Sequence, residues 1–495
     1  MDEINFDLKD AAIAYLIASA PDSRFPCHTS VCGGSLTVSH TAATDVLTAE
    51  QDGRAAAVIG YCVDAHGELA RGDIPAQFLA QTFSDAMAAF RYFDRFAGAY
   101  LVLYQEGDKL FLWGDATCSL PICYSVSGHA LCAAMTDKLA ADLLGLAVSA
   151  YSLKIRNGST AYSQPLPNDL TMYDGVKVLL PNHYLDCGSR KAVRVPLGVR
   201  ETKDPQELAA IVDHTAALAR TVTAYYRKDF NIACPLTAGS DSRTILSFLL
   251  HAGMQPECYT YQHHFTKDSA EIAIPTQICE RYGLAYHVLP DQNAPEACVR
   301  SIDEVMGPYY RTSGDLNNCY TLRTGIGKCA VIEGTIIDEV GKSTQEHAVP
   351  VALLNVPFFM CKLHNYEKAA KPELKKYVEE IDTAGDRAHL ADLFAMEQKL
   401  GRRIGPTSAL SFLCGIPYLN MFNCRELILQ WCRVPRKLRV KKYLPLEFLR
   451  QNASGLLEYP INPEARALHL FKKYWFTFYP ATFAKYLLGK RRHSK

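Results

Sequence analysis

The sequence lacks several features that assign a protein quickly to a functional class. Its 52 Lys and Arg residues equal its 52 Asp and Glu residues, so it has no basic excess of the kind that a dedicated nucleic-acid-binding protein carries. None of its 17 cysteines belongs to a Cys-x-x-Cys pair, and no Cys/His spacing resembles a zinc site. No apolar run approaches the roughly 18–20 residues of a membrane span. The acidic start, MDEINFDLKD, has no basic signal-peptide segment. We therefore expect a cytoplasmic protein whose reduced thiols serve as small apolar core residues.

The chain has 495 residues, enough for two domains. Its first part contains short apolar runs separated by turn signals, a pattern typical of hairpins. A polar stretch with prolines at 195–206 marks a boundary. From residue 231 onward strands and helices alternate, which predicts a parallel sheet, and the pattern is mostly helical after residue 350. We predict a two-domain α/β protein, with an α+β domain over residues 1–200 and a parallel α/β domain with extra helices over residues 201–495.

The stretch LTAGSDSRTIL, residues 236–246, follows a predicted strand and opens a predicted helix. The unsatisfied amides at a helix start attract an anion, and Gly239 lets the backbone approach it closely. The hydroxyls of Thr237 and Ser242 add donors. Because the loop lacks the lysine of a Walker motif, it suits the pyrophosphate portion of ATP and chemistry at the α-phosphate. The alternative is an ordinary strand–turn–helix in which Asp241 or Ser242 caps the helix.

This loop resembles the Ser-Gly-Gly-x-Asp-Ser signature of the ATP-pyrophosphatase (PP-loop) superfamily, with Thr237 and Ala238 replacing the first Ser and the first Gly. The wider context looks like asparagine synthetases and their relatives, which include β-lactam synthetases and lasso-peptide cyclases. The resemblance implies an Ntn-type, glutaminase-like sandwich over residues 1–200 and a PP-loop synthetase domain over residues 201–495. It also implies that ATP is bound by Leu236, Thr237, Ala238, Gly239, Ser240, Asp241, Ser242 and Arg243.

The segment CYTYQHHFTKDSAEIAIPTQICERYGLAYHVL resembles the second strand of that family and the helix and strand that follow it. The resemblance implies that Tyr259 and Thr260 contact the adenine, and that Asp268 or Glu271 occupies an acidic position at the helix start. Asp-x-x-Glu is also a capping-box pattern, so a structural role is the alternative. Pro275 predicts a kink or a late start of this helix.

The segment AVIEGTIIDEVGKSTQ resembles a stretch that reads Ser-Gly-Asp-Gly-Ala-Asp-Glu in asparagine synthetases. Gly334, Asp338 and Glu339 are retained, whereas Thr335 and Ile336 replace Asp and Gly. The resemblance implies that Asp338 and Glu339, together with Asp241, hold Mg²⁺ against the pyrophosphate, and carboxylates with phosphate oxygens are what Mg²⁺ prefers. An acidic helix start favoured by the helix dipole is the alternative.

Two lysines near the end of the helical region complete the implied catalytic set. Lys441 or Lys442 falls where the family keeps a lysine beside the reacting acyl centre, and a fixed cation stabilises the charge that develops there. Glu339 is grouped with these lysines as a catalytic residue. Two adjacent lysines are also typical of a solvated face.

The segment FAGAYLVLYQEGDKLFLWGDATCSLPICYS resembles class II glutamine amidotransferase domains, in which Cys follows the initial Met. Here Asp2 stands at that position, and Cys27 and Cys32 are internal and have no free α-amine. A nucleophile needs a thiolate and a base beside it. We therefore expect no glutaminase activity, with Gly60, Gly98 and Asp115 kept as structural remnants.

The resulting prediction is an ATP- and Mg²⁺-dependent ligase that adenylates a small-molecule or peptide carboxylate and transfers the acyl group to an amine or ammonia, the latter supplied freely or by a partner glutaminase. The alternatives are a PP-loop enzyme with a different acceptor and a nucleotide-binding pseudoenzyme or scaffold. The tail FKKYWFTFYPATFAKYLLGKRRHSK mixes aromatic and basic residues. It predicts either a docked helix with a frayed basic end or an interfacial membrane helix.

Overall fold

The computed structural model describes residues 4, 6–126, 131–159, 165–262, 269–309, 313–342, 348–463 and 475–492. It is a mixed α/β structure with two antiparallel sheets and one parallel sheet, and this confirms the predicted α/β class. Both antiparallel sheets lie before residue 195, and the parallel sheet lies after residue 231.

The antiparallel sheets have six strands each. Their strands are β1 Tyr15–Ala18, β2 Cys27–Val31, β3 Leu36–His40, β4 Val46–Gln51, β5 Arg54–Asp64, β6 Phe96–Glu106, β7 Lys109–Gly114, β8 Cys123–Ser125, β9 Ala133–Ala134, β10 Val176–Val178, β11 His183–Asp186 and β12 Lys191–Arg194. The strand orders are β10-β8-β9-β1-β3-β2 and β12-β11-β7-β6-β5-β4. The helices of this part are α1 Ile74–Leu79, α2 Ala86–Tyr92, α3 Asp137–Leu144 and α4 Ala150–Asn157.

The long pair β5 and β6 is buried on both faces, which explains its almost continuous apolar sequence. One face contributes Leu101 to the main core, and the other contributes Tyr104 to a second, aromatic core that includes Phe78 of α1. Gly98 has φ +129°, and a Cβ there would lie 2.0 Å from the carbonyl oxygen of Tyr61. Only glycine allows the two strands to approach this closely.

The parallel sheet contains β13 Ile232–Pro235, β14 Glu257–Tyr261, β15 Tyr286–Leu289, β16 Ala330–Ile332 and β17 Tyr418–Leu419, in the order β15-β14-β13-β16-β17. The helices that precede and connect its first four strands are α5 Pro205–Asp229, α6 Ser240–His251, α7 Ala270–Tyr282, α8 Glu296–Met306 and α9 Ser313–Gly325. The later helices are α10 Val356–Lys362, α11 Ala370–Thr383, α12 Leu390–Leu393, α13 Gly405–Leu413, α14 Arg425–Arg433, α15 Arg436–Arg439, α16 Tyr443–Ala453 and α17 Trp475–Arg492. Two π-helical segments, Ile337–Gly341 and Phe394–Ile404, interrupt the region between β16 and α13.

Short-range signals place the ends of several of these helices. α5 begins at Pro205 with the side chain of Asp204 as its N-cap. α6 ends just before Gly253, and α7 ends at Gly283 in the left-handed conformation. Pro275 lies inside α7, which begins at Ala270, so the predicted late start is wrong.

The cysteines are free thiols, as predicted. Cys27 is half-buried, and all the others are buried within the apolar cores or beside them. Burial raises the pKa of Cys32 to about 12. Because the thiolate is the reactive form, this thiol is a poor nucleophile.

Candidate functional site

The strand order of the parallel sheet reverses between β13 and β16. From β13 the sheet continues to β14 and β15, and from β16 it continues to β17. In open parallel sheets, ligands bind at such a switch point, outside the carboxyl ends of the strands. The predicted phosphate loop follows β13 and the predicted acidic segment follows β16, so the topology brings both to this edge.

The turn after β13 is held by its own hydroxyl groups. The backbone N–H of Thr237 donates to the Ser242 hydroxyl at 3.1 Å, and the N–H of Gly239 donates to the Thr237 hydroxyl at 3.1 Å. Gly239 is the N-cap residue of α6, and among the described residues no side chain caps this helix. The alternative of a cap by Asp241 or Ser242 is therefore wrong, and the first-turn amides of α6 have no capping side chain.

Ala238 replaces a glycine of the family signature without backbone strain, because it does not have a positive φ. Both backbone polar groups of Ala238 are hydrogen-bonded. The N–H donates to the carboxylate of Glu271 at 2.8 Å, and the carbonyl accepts from the backbone N–H of Asn462 at 3.0 Å. The backbone at Ala238 is therefore held by residues from two distant segments.

Glu271 lies in the first turn of α7, whose N-cap is Ser269. Its backbone N–H donates to the Ser269 hydroxyl at 3.2 Å, while its carboxylate turns to the loop after β13. The capping-box alternative is therefore wrong for Glu271. Asp268, the other candidate for the acidic position, lies outside the described residues.

Arg243 is fully buried. Its guanidinium donates to the carbonyl of Ala238 at 3.0 Å and to the carbonyls of Tyr459 and Pro460 at 2.9 and 2.5 Å. Burial lowers its pKa to about 10. The guanidinium thus braces the loop, and contact between Arg243 and ATP stays a prediction.

Other predicted ATP residues have buried side chains. Leu236 and Ser240 are fully buried, and Tyr259 and Thr260 of β14 are nearly so. The Thr260 hydroxyl donates to the Leu236 carbonyl at 2.5 Å and accepts from the Tyr286 hydroxyl at 2.8 Å. Contacts from these residues to a nucleotide would come from their backbone groups.

The acidic segment after β16 packs directly on the loop after β13. A Cβ at Gly334 would lie 3.1 Å from the backbone carbonyl of Asp241, so the two loops would have to shift by a few tenths of an ångström to admit a side chain. The ammonium of Lys342 lies 2.6 Å from the carboxylate of Asp241 and 2.5 Å from that of Asp338. Burial disfavours the charged form of Lys342, but these two carboxylates outweigh it and raise the pKa of Lys342 above its usual value.

The three predicted Mg²⁺ ligands do not fit a common metal site as arranged. Asp241 and Asp338 share Lys342, while Glu339 pairs with Lys399 at 2.8 Å. In the part of the chain that the structure describes, the one group of three potential ligand atoms that converge is His389, Asp392 and Cys432. There the guanidinium of Arg439 already lies 2.6 Å from Asp392.

Lys441 and Lys442 immediately precede α16. Lys441 is exposed, and Lys442 is half-buried with φ +63°. The lysines that form ion pairs with the acidic segment are Lys342, which contacts Asp338, and Lys399, which contacts Glu339. A role for Lys441 or Lys442 at the acyl centre stays a prediction.

Glu333 is the site residue that the sequence reasoning misses. It follows β16 directly and is 6% exposed. Its carboxylate accepts from the N–H and the hydroxyl of Thr335, both at 2.5 Å, and from the side-chain amide of Asn420 at 3.3 Å. Burial raises the pKa of Glu333 from 4.5 to about 7 against the effect of these hydrogen bonds. The sequence signal for this residue is a carboxylate that directly follows the apolar strand β16.

Glu333 lines a small pocket between the two parts of the chain, with a cavity volume of about 20 Å³. The polar walls include Glu333, Thr335, Tyr418 and Asn420 from the second part, and Thr117 and Ser119 from the first part. The pocket therefore needs both parts of the chain.

Asn423 joins the two parts beside this pocket. Its amide nitrogen donates to the Gly98 carbonyl at 2.5 Å, the Asp115 carboxylate at 2.8 Å and the Ser119 hydroxyl at 3.0 Å. Its amide oxygen accepts from the Thr117 hydroxyl at 3.0 Å. Gly98 and Asp115, predicted as structural remnants, thus hold the interface with the second part of the chain.

The described part of α17 docks against α10. The ring of Tyr479 stacks on that of Phe358 with centroids 5.6 Å apart, and its hydroxyl donates to the Leu353 carbonyl at 2.9 Å. Phe478 is buried. This agrees with the docked-helix alternative for the tail. Within the described ranges, no helix combines the length and the apolar character needed to cross a membrane.

A scan against protein-family models finds no match for this chain, and a search of curated proteins finds none either.

Proposed function

We propose that this chain is an AMP-forming carbon–nitrogen ligase of the asparagine synthetase-like kind, with a PP-loop synthetase domain and an Ntn-type first domain. A substrate carboxylate oxygen attacks the α-phosphorus of ATP, pyrophosphate leaves, and an acyl-adenylate forms. The nitrogen of an amine or of ammonia then attacks the acyl carbon. AMP leaves, the amide bond forms, and the nitrogen gives up a proton.

One observation carries this proposal: the loops after β13 and β16 meet at the switch point of a parallel sheet. Gly334 packs on the backbone of Asp241, and switch points of this kind are where nucleotides bind. The uncapped start of α6 is suited to the pyrophosphate portion of ATP. The Thr237 and Ser242 hydroxyls and the Lys342 ammonium provide further hydrogen-bond donors at this edge.

Glu333 is suited to take the proton that the attacking nitrogen loses. A carboxyl group with a pKa of about 7 is ionised in part at neutral pH and is basic enough to accept a proton there. It lies two residues upstream of Thr335, in the position after β16 that faces the pocket between the two parts. The nucleophile would therefore enter from the side of the first part.

The first part supplies walls of the site in this proposal. Burial raises the pKa of the Cys32 thiol to about 12, so this thiol is a poor nucleophile for glutamine hydrolysis. The nitrogen would come from an amine, from free ammonia or from a partner glutaminase.

Exchange of labelled pyrophosphate into ATP tests the proposal. We expect exchange with the full chain that depends on a carboxylate, across a panel of amino acids, small acids and peptides. Asp241→Asn should reduce it at least about tenfold, whereas the matched exposed variant Asp10→Asn should not. If no carboxylate supports exchange and a non-hydrolysable ATP analogue does not bind, the proposal is wrong.

A nucleotide-binding pseudoenzyme is the second candidate. It is favoured because groups of the site are already paired with each other. The N–H of Ala238 donates to Glu271, and Lys342 forms ion pairs with the carboxylates of Asp241 and Asp338. Binding of the ATP analogue without exchange for any carboxylate or amine would support this function over the ligase.

A further inference from the structure

The acidic segment after β16 already contains a cation. Lys342 stands four residues after Asp338, close to the next turn of the same π-helical segment, and its ammonium reaches both Asp338 and Asp241 of the loop after β13. It thereby joins the two loops that meet at the switch point. The Lys342 side chain is 18% exposed, so it is held within the site.

Neither of the remaining acidic positions restores a metal site. Glu339 is paired with Lys399, and both side chains are largely buried. Thr335, where the family pattern has Asp, uses its hydroxyl and its N–H to bond Glu333. A Mg²⁺ ion needs oxygen ligands at about 2.0–2.1 Å in near-octahedral geometry, and the Lys342 nitrogen lies between the two carboxylates that could provide them.

We propose that Lys342 takes the place of a protein-held divalent cation: its ammonium is the resident counter-ion of Asp241 and Asp338, and this segment binds no divalent metal of its own. The two cations exclude each other, because they occupy the same position and carry charge of the same sign. The phosphates of a bound nucleotide meet an ammonium at this point.

Only one part of this inference rests on the proposed function, namely that the ligand beside Lys342 is a nucleotide phosphate. The test uses Mn²⁺, an oxygen-preferring divalent ion, titrated into the full chain without nucleotide, with free Mn²⁺ measured by electron paramagnetic resonance. We expect Lys342→Met to bind a single Mn²⁺ at least about tenfold more tightly than the wild type. The added change Asp338→Asn should remove this gain, and Lys342→Arg should behave as the wild type.

Lys177→Met is the matched control, because Lys177 pairs with Asp169 at 3.0 Å at a similar exposure in the first part of the chain. It should not change the titration. A wild type that binds Mn²⁺ as tightly as Lys342→Met, and loses it on Asp338→Asn, would overturn the inference. The wild type and Asp338→Asn decide the question even if Lys342→Met does not fold. A failure of ATP binding would count against the proposed function and leave the Mn²⁺ result unaffected.

Discussion

The carboxylate of Glu271 accepts a hydrogen bond from the backbone N–H of Ala238 at 2.8 Å, linking the start of α7 to the turn after β13. The carbonyl of Ala238 accepts from the backbone N–H of Asn462 and from the guanidinium of Arg243 in α6. The turn that begins α6 is thus fixed by two distant segments and by a side chain of its own helix before any ligand binds. Fixing a loop in advance reduces the entropy that binding has to overcome.

Removing the Glu271 carboxylate tests this brace. We expect Glu271→Ala to lower the free energy of unfolding in urea by about 1–3 kcal/mol, because a charge-assisted hydrogen bond is lost, and to weaken binding of an ATP analogue measured by calorimetry. Glu271→Gln keeps an acceptor oxygen and should retain most of the stability. Glu280→Ala, at an exposed position of the same helix, is the control. If the two alanine variants are equally stable, the brace does not matter.

A side chain at Gly334 should separate the two loops of the site. Its Cβ would lie 3.1 Å from the carbonyl carbon and oxygen of Asp241, so we expect Gly334→Ala to cost about 1–3 kcal/mol of stability and to abolish binding of the ATP analogue. Thermal unfolding and calorimetry measure the two effects. Gly72→Ala adds the same methyl group where no heavy atom lies within 4 Å. Normal analogue binding by Gly334→Ala would contradict the close packing.

Glu333 should make stability depend on pH in a direction unusual for a carboxylate. Its pKa in the folded state, about 7, lies above its ordinary value of 4.5, so the folded state holds the proton more tightly than the unfolded state. This contribution is fully present below about pH 4.5, declines as the pH rises and is lost above about pH 7.

We therefore expect the stability of the wild type relative to Glu333→Gln to fall by about 3 kcal/mol between about pH 4.5 and about pH 8. Urea unfolding across this range measures it, and the amide of Gln does not titrate. A difference between the two proteins that is independent of pH would show that Glu333 has an ordinary pKa.

Asn423→Ala should weaken the contact between the two parts of the chain. The substitution removes bonds to Gly98, Ser119 and Thr117 and leaves the buried carboxylate of Asp115 with fewer donors. We expect a loss of about 2–4 kcal/mol in unfolding free energy. Asn293→Ala, at an exposed position, should change stability by less than about 0.5 kcal/mol. Equal effects of the two substitutions would refute the role of Asn423.

The features that the sequence predicts correctly depend mostly on short-range interactions. Gly253 and Gly283 mark helix ends because only their own backbone conformation is involved, and the turn at Gly239 is recognisable for a similar reason. The burial of Arg243 is not evident from the sequence, because a charged residue in a first helical turn is usually exposed. The carbonyls that bury it belong to residues about two hundred positions later.

The ion pairs of the site depend on the tertiary structure in the same way. Nothing local to Lys342 indicates that it meets Asp241, which lies 101 residues upstream. Nor does the sequence around Asn423 indicate Asp115, 308 residues away. A family motif indicates which positions are candidate site residues. It does not indicate which ion-pair partner each charged side chain has in this chain.

The bond from Asn423 to Asp115 makes the first part of the chain a structural support of the pocket. A chain shortened to begin after residue 200 would open one side of the pocket to water and strand Asn423 without the groups it now joins. Mutations that unfold the first part are therefore expected to disrupt the pocket as well.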